Sequence, residues 1–122
     1  MSEQVYEQDG FTWAVAQFRE RATIAWRGVA DNRYPGPFLD PLTEEWVSKL
    51  SDVEVTVDLR DLEFMNSATV TPLIKLVRRL DKNGKPVRVV FLDVEWQRIH
   101  GNCMSAIART LTNVKVERQS IR

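Results

Sequence analysis

The chain has 122 residues, of which 43% are hydrophobic and 28% are charged, a balance typical of one globular domain rather than a disordered segment. Seventeen basic residues offset seventeen acidic ones, so the net charge indicates no class of partner. No stretch is long and apolar enough for a membrane helix, the N-terminus is not a secretory signal, and the lone Cys103 excludes an internal disulfide. The sequence therefore predicts a cytoplasmic protein without membrane association.

The charges are unevenly distributed along the chain. Residues 1–63 hold 13 acidic and 6 basic residues, whereas residues 64–122 hold 4 acidic and 11 basic ones. A basic run occupies Lys75 to Arg88, but no aromatic side chains interleave with it to stack on bases. The run therefore indicates the solvated face of a helix and argues against a nucleic-acid surface.

The first half of the chain predicts a hairpin followed by a helix. Residues 11–18 and 22–29 alternate apolar and polar side chains around a short polar turn, the pattern of two antiparallel strands. Pro35-Gly36-Pro37 then predicts an irregular segment that excludes helix and interior strand. Asp40 and Pro41 predict the cap and first position of a helix whose apolar stripe is Leu42, Trp46 and Leu50.

The second half predicts alternating strands and helices. Residues 53–59 alternate as a third strand, an amphipathic helix ends at Lys82, and the nearly continuous apolar run 87–94 predicts a buried central strand. A third helix is predicted over residues 96–111, with four inward side chains spaced four apart: Ile99, Cys103, Ile107 and Leu111. Residues 114–117 complete the pattern as a short last strand.

The predicted order is ββαβαβαβ, which implies an α/β fold with a mixed sheet of about five strands. We expect residues 11–122 to form a single domain and residues 1–10 to be a polar N-terminal lead-in.

The residues of most catalytic sites are missing. The five glycines never form a phosphate-binding loop, and the single histidine, His100, is not accompanied by a nucleophile elbow. His100 and Cys103 lack companions at the spacing of metal ligands. We therefore expect no enzymatic activity, cofactor or metal, and we interpret His100 as a surface or half-buried helix residue and Cys103 as a small core side chain.

One segment is informative for function. In Val57-Asp58-Leu59-Arg60-Asp61-Leu62-Glu63-Phe64-Met65-Asn66-Ser67-Ala68-Thr69, a strand ends, a loop carries Leu-x-Phe-Met, and Asn-Ser opens a helix. This segment resembles the STAS domain family, the anti-sigma-factor antagonists of bacterial partner switching, whose hallmark turn is Leu-x-Phe-Met-Asp-Ser-Ser-Gly. The resemblance covers residues 22–118 and implies a STAS-like fold with helices mainly on one face of the sheet.

The resemblance places Ser67 at the position that a partner kinase phosphorylates. Asn66 replaces the usual aspartate, which is similar to a diverged branch of SiaC-like regulators, and Ala68 and Thr69 replace the usual Ser-Gly. Gly28-Val29-Ala30-Asp31 resembles the family's Gly-x-Leu-Asp and would place Asp31 in a loop near Ser67.

The resemblance also implies partners. A switch protein of this kind binds a target regulator or an anti-sigma-like serine/threonine kinase, is released by phosphorylation, and is restored by a PP2C-type phosphatase. Apolar and acidic side chains around Ser67 would form the partner surface: Asp31, Asp61, Leu62, Glu63, Phe64, Met65, Asn66 and Ala68.

Several alternatives stay open from the sequence. Ser67 or Asn66 is also a good plain helix cap, and Thr69 is a rival acceptor if the helix begins at Thr71-Pro72 rather than at Ser67. If the chain is not phosphorylated, it would instead be a constitutive STAS-like scaffold, bound through the tryptophan-bearing hairpin or the Pro35–Phe38 loop. An exposed edge strand would also permit a homodimer.

Overall fold

The computed structural model describes residues 3–120, which contain seven strands, three helices and a 3₁₀ turn. The strands are β1 (Glu3–Gln8), β2 (Phe11–Phe18), β3 (Arg21–Ala30), β4 (Glu54–Asp58), β5 (Leu62–Met65), β6 (Val87–Leu92) and β7 (Val114–Gln119). The helices are α1 (Gly36–Lys49), α2 (Val70–Lys82) and α3 (Glu95–Ala108), and the 3₁₀ turn (Ser67–Thr69) leads directly into α2. Within residues 3–120, no helix is both long enough and apolar enough to cross a membrane.

The sheet is mixed and has the order β1-β2-β3-β4-β6-β7, with β5 paired to β3 outside this path. The pairs β1–β2 and β2–β3 are antiparallel, and all other pairs are parallel. The long strand β3 pairs with β4 over residues 21–25 and with β5 over residues 28–30, with a register shift between Gly28 and Val29. Strand β5 therefore continues along the same edge of β3 that β4 occupies first.

The helices cover one face of the sheet. Phe11, Trp13 and Val15 of β2 point into the hydrophobic core, and all three helices add buried side chains to that same core. Helix α1 lies against α2, and α2 lies against α3. The α/β class, the mixed sheet and the β2–β3 hairpin are confirmed.

The number of strands is higher than the five predicted from the sequence. Strand β1 lies within the segment interpreted as a polar lead-in, and β5 lies in a predicted loop. Most β1 side chains are exposed, so they lack the alternation that marks a half-buried strand. Backbone pairing with β2 and the ion pair between Glu3 and Arg27, at 3.1 Å, hold β1 in place.

The predicted start of the first helix is wrong. Helix α1 begins at Gly36, with Pro35 rather than Asp40 at its cap, and Pro41 lies inside it. Proline is tolerated at Pro37 because an amide in the first helical turn has no intrahelical acceptor. The amide of Leu39 donates to the carbonyl of Pro35 at 2.9 Å and begins the helical hydrogen bonding.

The inward face predicted for the third helix is also wrong. Helix α3 buries Gln97, Gly101 and Met104, whereas Ile99 and Cys103 are exposed. A Cβ atom on Gly101 would lie 2.1 Å from the ring of Phe91. The missing side chain thus lets this ring pack directly against the helix backbone, which turns the Gly101 side toward the sheet.

A charged pair fixes the chain where β4 ends. The guanidinium of Arg60 donates to both carboxylate oxygens of Asp58, at 3.0 and 2.9 Å, and to the side chain of Gln119 at 2.9 Å. Burial raises the pKa of the Asp58 carboxyl, but the hydrogen bonds and charge of Arg60 outweigh it and hold this pKa below its ordinary value.

Substituting Arg60→Gln is expected to lower the free energy of unfolding by about 1 kcal/mol at neutral pH, after allowance for solvent screening. A carboxyl whose pKa is lowered by folding stabilises the protein above its unfolded pKa and loses that contribution as the pH falls through its folded pKa. The deficit of the variant should therefore shrink as the pH falls below the ordinary aspartate pKa of about 3.9. Urea unfolding of the wild type and the variant at a series of pH values measures this difference in the free energy of unfolding. Arg98→Gln, at the exposed pair with Asp93, is the control, and a deficit that persists unchanged into acid would contradict this account.

Candidate functional site

The turn between β5 and α2 is fixed by Asn66. Its amide N–H donates to the carbonyl of Ala30 at 2.8 Å, and its Nδ2 donates to the carbonyl of Asn32 at 3.0 Å. Its Oδ1 accepts from the amide of Thr69 at 3.0 Å and from the Thr69 hydroxyl at 2.6 Å. One side chain thus joins the start of the helical segment to the loop that follows β3, and Asp31 lies in this loop beside the turn.

The two candidate acceptors have opposite surroundings. Ser67 is exposed at the first position of the 3₁₀ turn, directly after the cap residue Asn66. Thr69 is 1% exposed, and its hydroxyl already donates to Asn66. The amides at the beginning of a helical segment lack intrahelical acceptors, so an anion at Ser67 would meet backbone donors and a favourable dipole.

The start of the second helix combines the two alternatives left by the sequence. The helical segment begins at Ser67, but it begins as a 3₁₀ turn, and α2 proper starts at Val70. Pro72 then lies in the first α-helical turn. Because a proline ring clashes with the carbonyl four residues earlier in an α-helix, a tighter turn ahead of Pro72 is physically reasonable.

The predicted partner surface divides into exposed and buried residues. Leu62 and Met65 are buried in the core and offer no contact surface to a partner. Phe64, between them, is 46% exposed. Of the other predicted residues, Asn66 is half-buried and four are exposed: Asp31, Asp61, Glu63 and Ala68.

Helix α3 supplies neighbours that the sequence did not reveal. The Trp96 ring lies 6.5 Å from the Phe64 ring, and Nε2 of half-buried His100 lies 3.2 Å from the carbonyl oxygen of Met65. Buried Gln97 donates to the carbonyl of Leu62 at 3.1 Å. These contacts join residues that are far apart in the sequence, 35 positions in the case of both hydrogen bonds. Only a correct prediction of the inward face of α3 could have indicated them.

Exposed apolar side chains continue from the turn onto α3. Ile99 is 64% exposed and lies one helical turn after Trp96. We call the exposed Phe64 and Ile99, together with the half-buried Trp96, the apolar patch. Exposed aromatic and aliphatic side chains grouped in this way are typical of protein contact surfaces.

Comparison with known proteins gives matches at the level of structure. No family model matches the chain, and no curated protein matches its sequence. The structure of SiaC from Pseudomonas aeruginosa aligns with a TM-score of 0.66 at 12% identity, covering 99% of this chain and 100% of that one. An anti-sigma factor antagonist from Mycobacterium paratuberculosis aligns with a TM-score of 0.62 at 18% identity, covering 93% of this chain and 85% of that one. The chain has a STAS-like fold.

The STAS-like fold confirms the fold expected from the resemblance of residues 22–118. A chain of the complex between the diguanylate cyclase SiaD and its activator SiaC, also from Pseudomonas aeruginosa, aligns with a TM-score of 0.65 at 12% identity. That alignment covers 95% of this chain and 99% of that one. Proteins with this STAS-like fold thus include regulators that act by binding other proteins.

Proposed function

We propose that this protein is a cytoplasmic switch of a bacterial partner-switching system, a binding protein rather than an enzyme, controlled by reversible phosphorylation of Ser67. The observation that carries the proposal is the exposed Ser67 at the head of a helical segment whose turn is fixed by Asn66. The regulators among its structural neighbours support it.

A phosphate on Ser67 would change the surface more than the fold. It adds about −1.5 to −2 charge at a helix start, where the dipole and free amides favour an anion. The exposed acids Asp61 and Glu63 precede the same turn. The added charge would therefore repel a partner that had approached with acidic groups.

Thr69 is the weaker acceptor on physical grounds. A kinase would have to withdraw its side chain from the core and break its hydrogen bonds with Asn66, whereas Ser67 requires neither change. We therefore assign the modification to Ser67.

The partners that fit the proposal are a serine/threonine kinase, a PP2C-type phosphatase and a downstream regulator. The apolar patch supplies contact area next to Ser67, because Phe64 lies three residues before it and Trp96 lies against Phe64. The complex of SiaC with a diguanylate cyclase supports a protein as the target.

A constitutive interaction scaffold is the second candidate. Tyr34, in the loop before α1, is 74% exposed and belongs to neither the Ser67 turn nor the apolar patch. A partner bound through this loop would not respond to the charge of Ser67.

The proposal is tested first by mass spectrometry of the protein from its native host, growing and stressed. Trypsin releases residues 61–75, which contain Ser67, Thr69 and Thr71. We expect a phosphate on Ser67 that changes with condition. Full coverage of this peptide without phosphate in any condition would favour the scaffold, and phosphate on Thr69 alone would overturn the assigned site.

The same host then provides a binding test. Tagged Ser67→Ala is expected to retain a co-purifying partner in all conditions, whereas Ser67→Asp loses it, with a difference of about tenfold or more in recovered partner, equivalent to 1.4 kcal/mol. Ser48→Asp, an exposed serine on α1, controls for the added charge. Equal recovery with wild type and Ser67→Asp would refute the switch.

A further inference from the structure

A shallow groove runs along the outer face of α2, on the helix that Ser67 heads. It is open to solvent, and all of its lining residues belong to α2: Thr71, Ile74, Lys75, Arg78, Arg79 and Lys82. We call these six residues the basic groove. Four of the six are cationic, and Ile74 is a half-buried apolar side chain among them.

The cations of the basic groove fall into two pairs. Lys75 lies 3.7 Å from the carboxylate of Asp40, and Arg79 donates to Glu44, so both are held toward α1. Within residues 3–120, Arg78 and Lys82 make no ion pair. The two acids of α1 therefore leave the groove with excess positive charge on its open side.

The basic groove is continuous with the proposed switch. Residues three and four apart share a helix face, so Thr71, Arg78 and Lys82 lie along one exposed face of α2, which directly follows the 3₁₀ turn that contains Ser67. Thr71 is about 6 Å along the helix axis from Ser67 and Lys75 is about 12 Å away. The shorter of these two distances is below the screening length of about 8 Å at physiological salt, and the longer one is moderately above it.

We propose that the basic groove docks an acidic segment of a partner protein, with carboxylates on Arg78 and Lys82 and an apolar side chain on Ile74. Charge complementarity favours an anionic occupant. Ile74 at its centre, and the absence of aromatic residues from its lining, favour a peptide over nucleic acid, which uses stacking platforms. This proposal extends the proposed function to the partner's chemistry, and it does not require that Ser67 be phosphorylated.

The test uses the full chain with isotope-labelled isoleucine methyl groups. The probe is a short synthetic peptide rich in glutamate with one central leucine, titrated at low salt. We expect the Ile74 methyl resonance to shift while the Ile99 methyl, in the apolar patch, stays in place. Arg78→Gln with Lys82→Gln should weaken binding by about tenfold, the scale of two charged contacts.

Arg109→Gln with Lys115→Gln removes the same two kinds of charge from exposed positions outside the groove and should leave the affinity unchanged. If the control variant lost as much affinity for the peptide, the weakening would be explained by net charge alone, and the proposal would be overturned. The proposal would also be overturned if the peptide shifted the Ile99 methyl resonance instead of that of Ile74. The same holds if a duplex oligonucleotide or phosphatidylglycerol vesicles shifted the Ile74 methyl resonance more strongly than the peptide does. Because this measurement uses unmodified protein, its outcome is separate from that of the Ser67 test.

Discussion

Replacing Gly28 with alanine is expected to lower the free energy of unfolding by about 3–4 kcal/mol. Gly28 has a φ of 85°, and a Cβ atom there would lie 2.1 Å from the carbonyl oxygen of Gly10. That oxygen accepts a hydrogen bond from Val29 at 3.0 Å, so the β1–β2 turn cannot move away without losing it. Equilibrium unfolding in urea measures the loss.

Gly10→Ala is the matched control for this substitution. Gly10 has nearly the same φ, 86°, but a Cβ atom there would meet nothing within 4 Å. The free energy of unfolding of Gly10→Ala should fall by about 1 kcal/mol, which is the cost of the backbone conformation alone. Equal losses in the two variants would show that the close approach at Gly28 is relieved without cost.

The Gly28 substitution should also loosen the Ser67 turn. Gly28 pairs with Leu62 at the start of β5, and its amide donates to the carbonyl of Asp61 at 3.2 Å. A shift of this backbone moves the strand that leads to Asn66. Amide hydrogen exchange at Thr69 should therefore accelerate more in Gly28→Ala than in Gly10→Ala.

Replacing Asn66 with alanine is expected to cost about 2–3 kcal/mol. The variant loses the cap on the amide of Thr69, the donor to the carbonyl of Asn32, and the acceptor for the Thr69 hydroxyl. The last loss is the most costly, because it leaves a buried hydroxyl unpaired. Urea unfolding, with amide exchange at Thr69 as a local readout, measures both effects.

Asn66→Asp separates the roles of this side chain. The carboxylate keeps acceptors for Thr69 but cannot donate to the carbonyl of Asn32, so we expect a smaller loss of about 1 kcal/mol. Asn102→Ala, on the exposed face of α3, is the control and should be nearly neutral. A neutral Asn66→Ala would mean that the turn is held by its backbone contacts alone.

The parts of the fold that follow local patterns were predictable. Strands β2, β3 and β4 alternate because their larger apolar side chains share one buried face of the sheet, and β6 is nearly continuously apolar, with Arg88 as the exception, because it lies between β4 and β7 inside the sheet. Strand β1 was not predicted because its side chains are mostly exposed and show no apolar alternation. Strand β5 was not predicted because four residues are too few to show a period. The face of α3 depends on the contact of Gly101 with Phe91, which spacing does not show.

The candidate site was predictable to a similar degree. The motif placed Asn66 and Ser67 correctly at the start of a helical segment. It also assigned Leu62 and Met65 to the partner surface, but β5 pairs with β3 and both side chains are buried in the core. The support from Gln97 and His100 comes from a helix distant in sequence, so no local pattern contains it.

The placement of β5 outside the main sheet path has a consequence for how Ser67 would enter the active site of the proposed kinase. A kinase draws its acceptor serine into a cleft, which requires some of the surrounding chain to yield. Here the segment that must yield is held by its pairing with the end of β3 and by contacts from α3, whereas β1 to β4, β6 and β7 pair without it. Presentation of Ser67 to the proposed kinase would therefore draw on a local opening equilibrium rather than on global unfolding, so substitutions that loosen β5 would change the accessibility of this serine without requiring the whole protein to unfold.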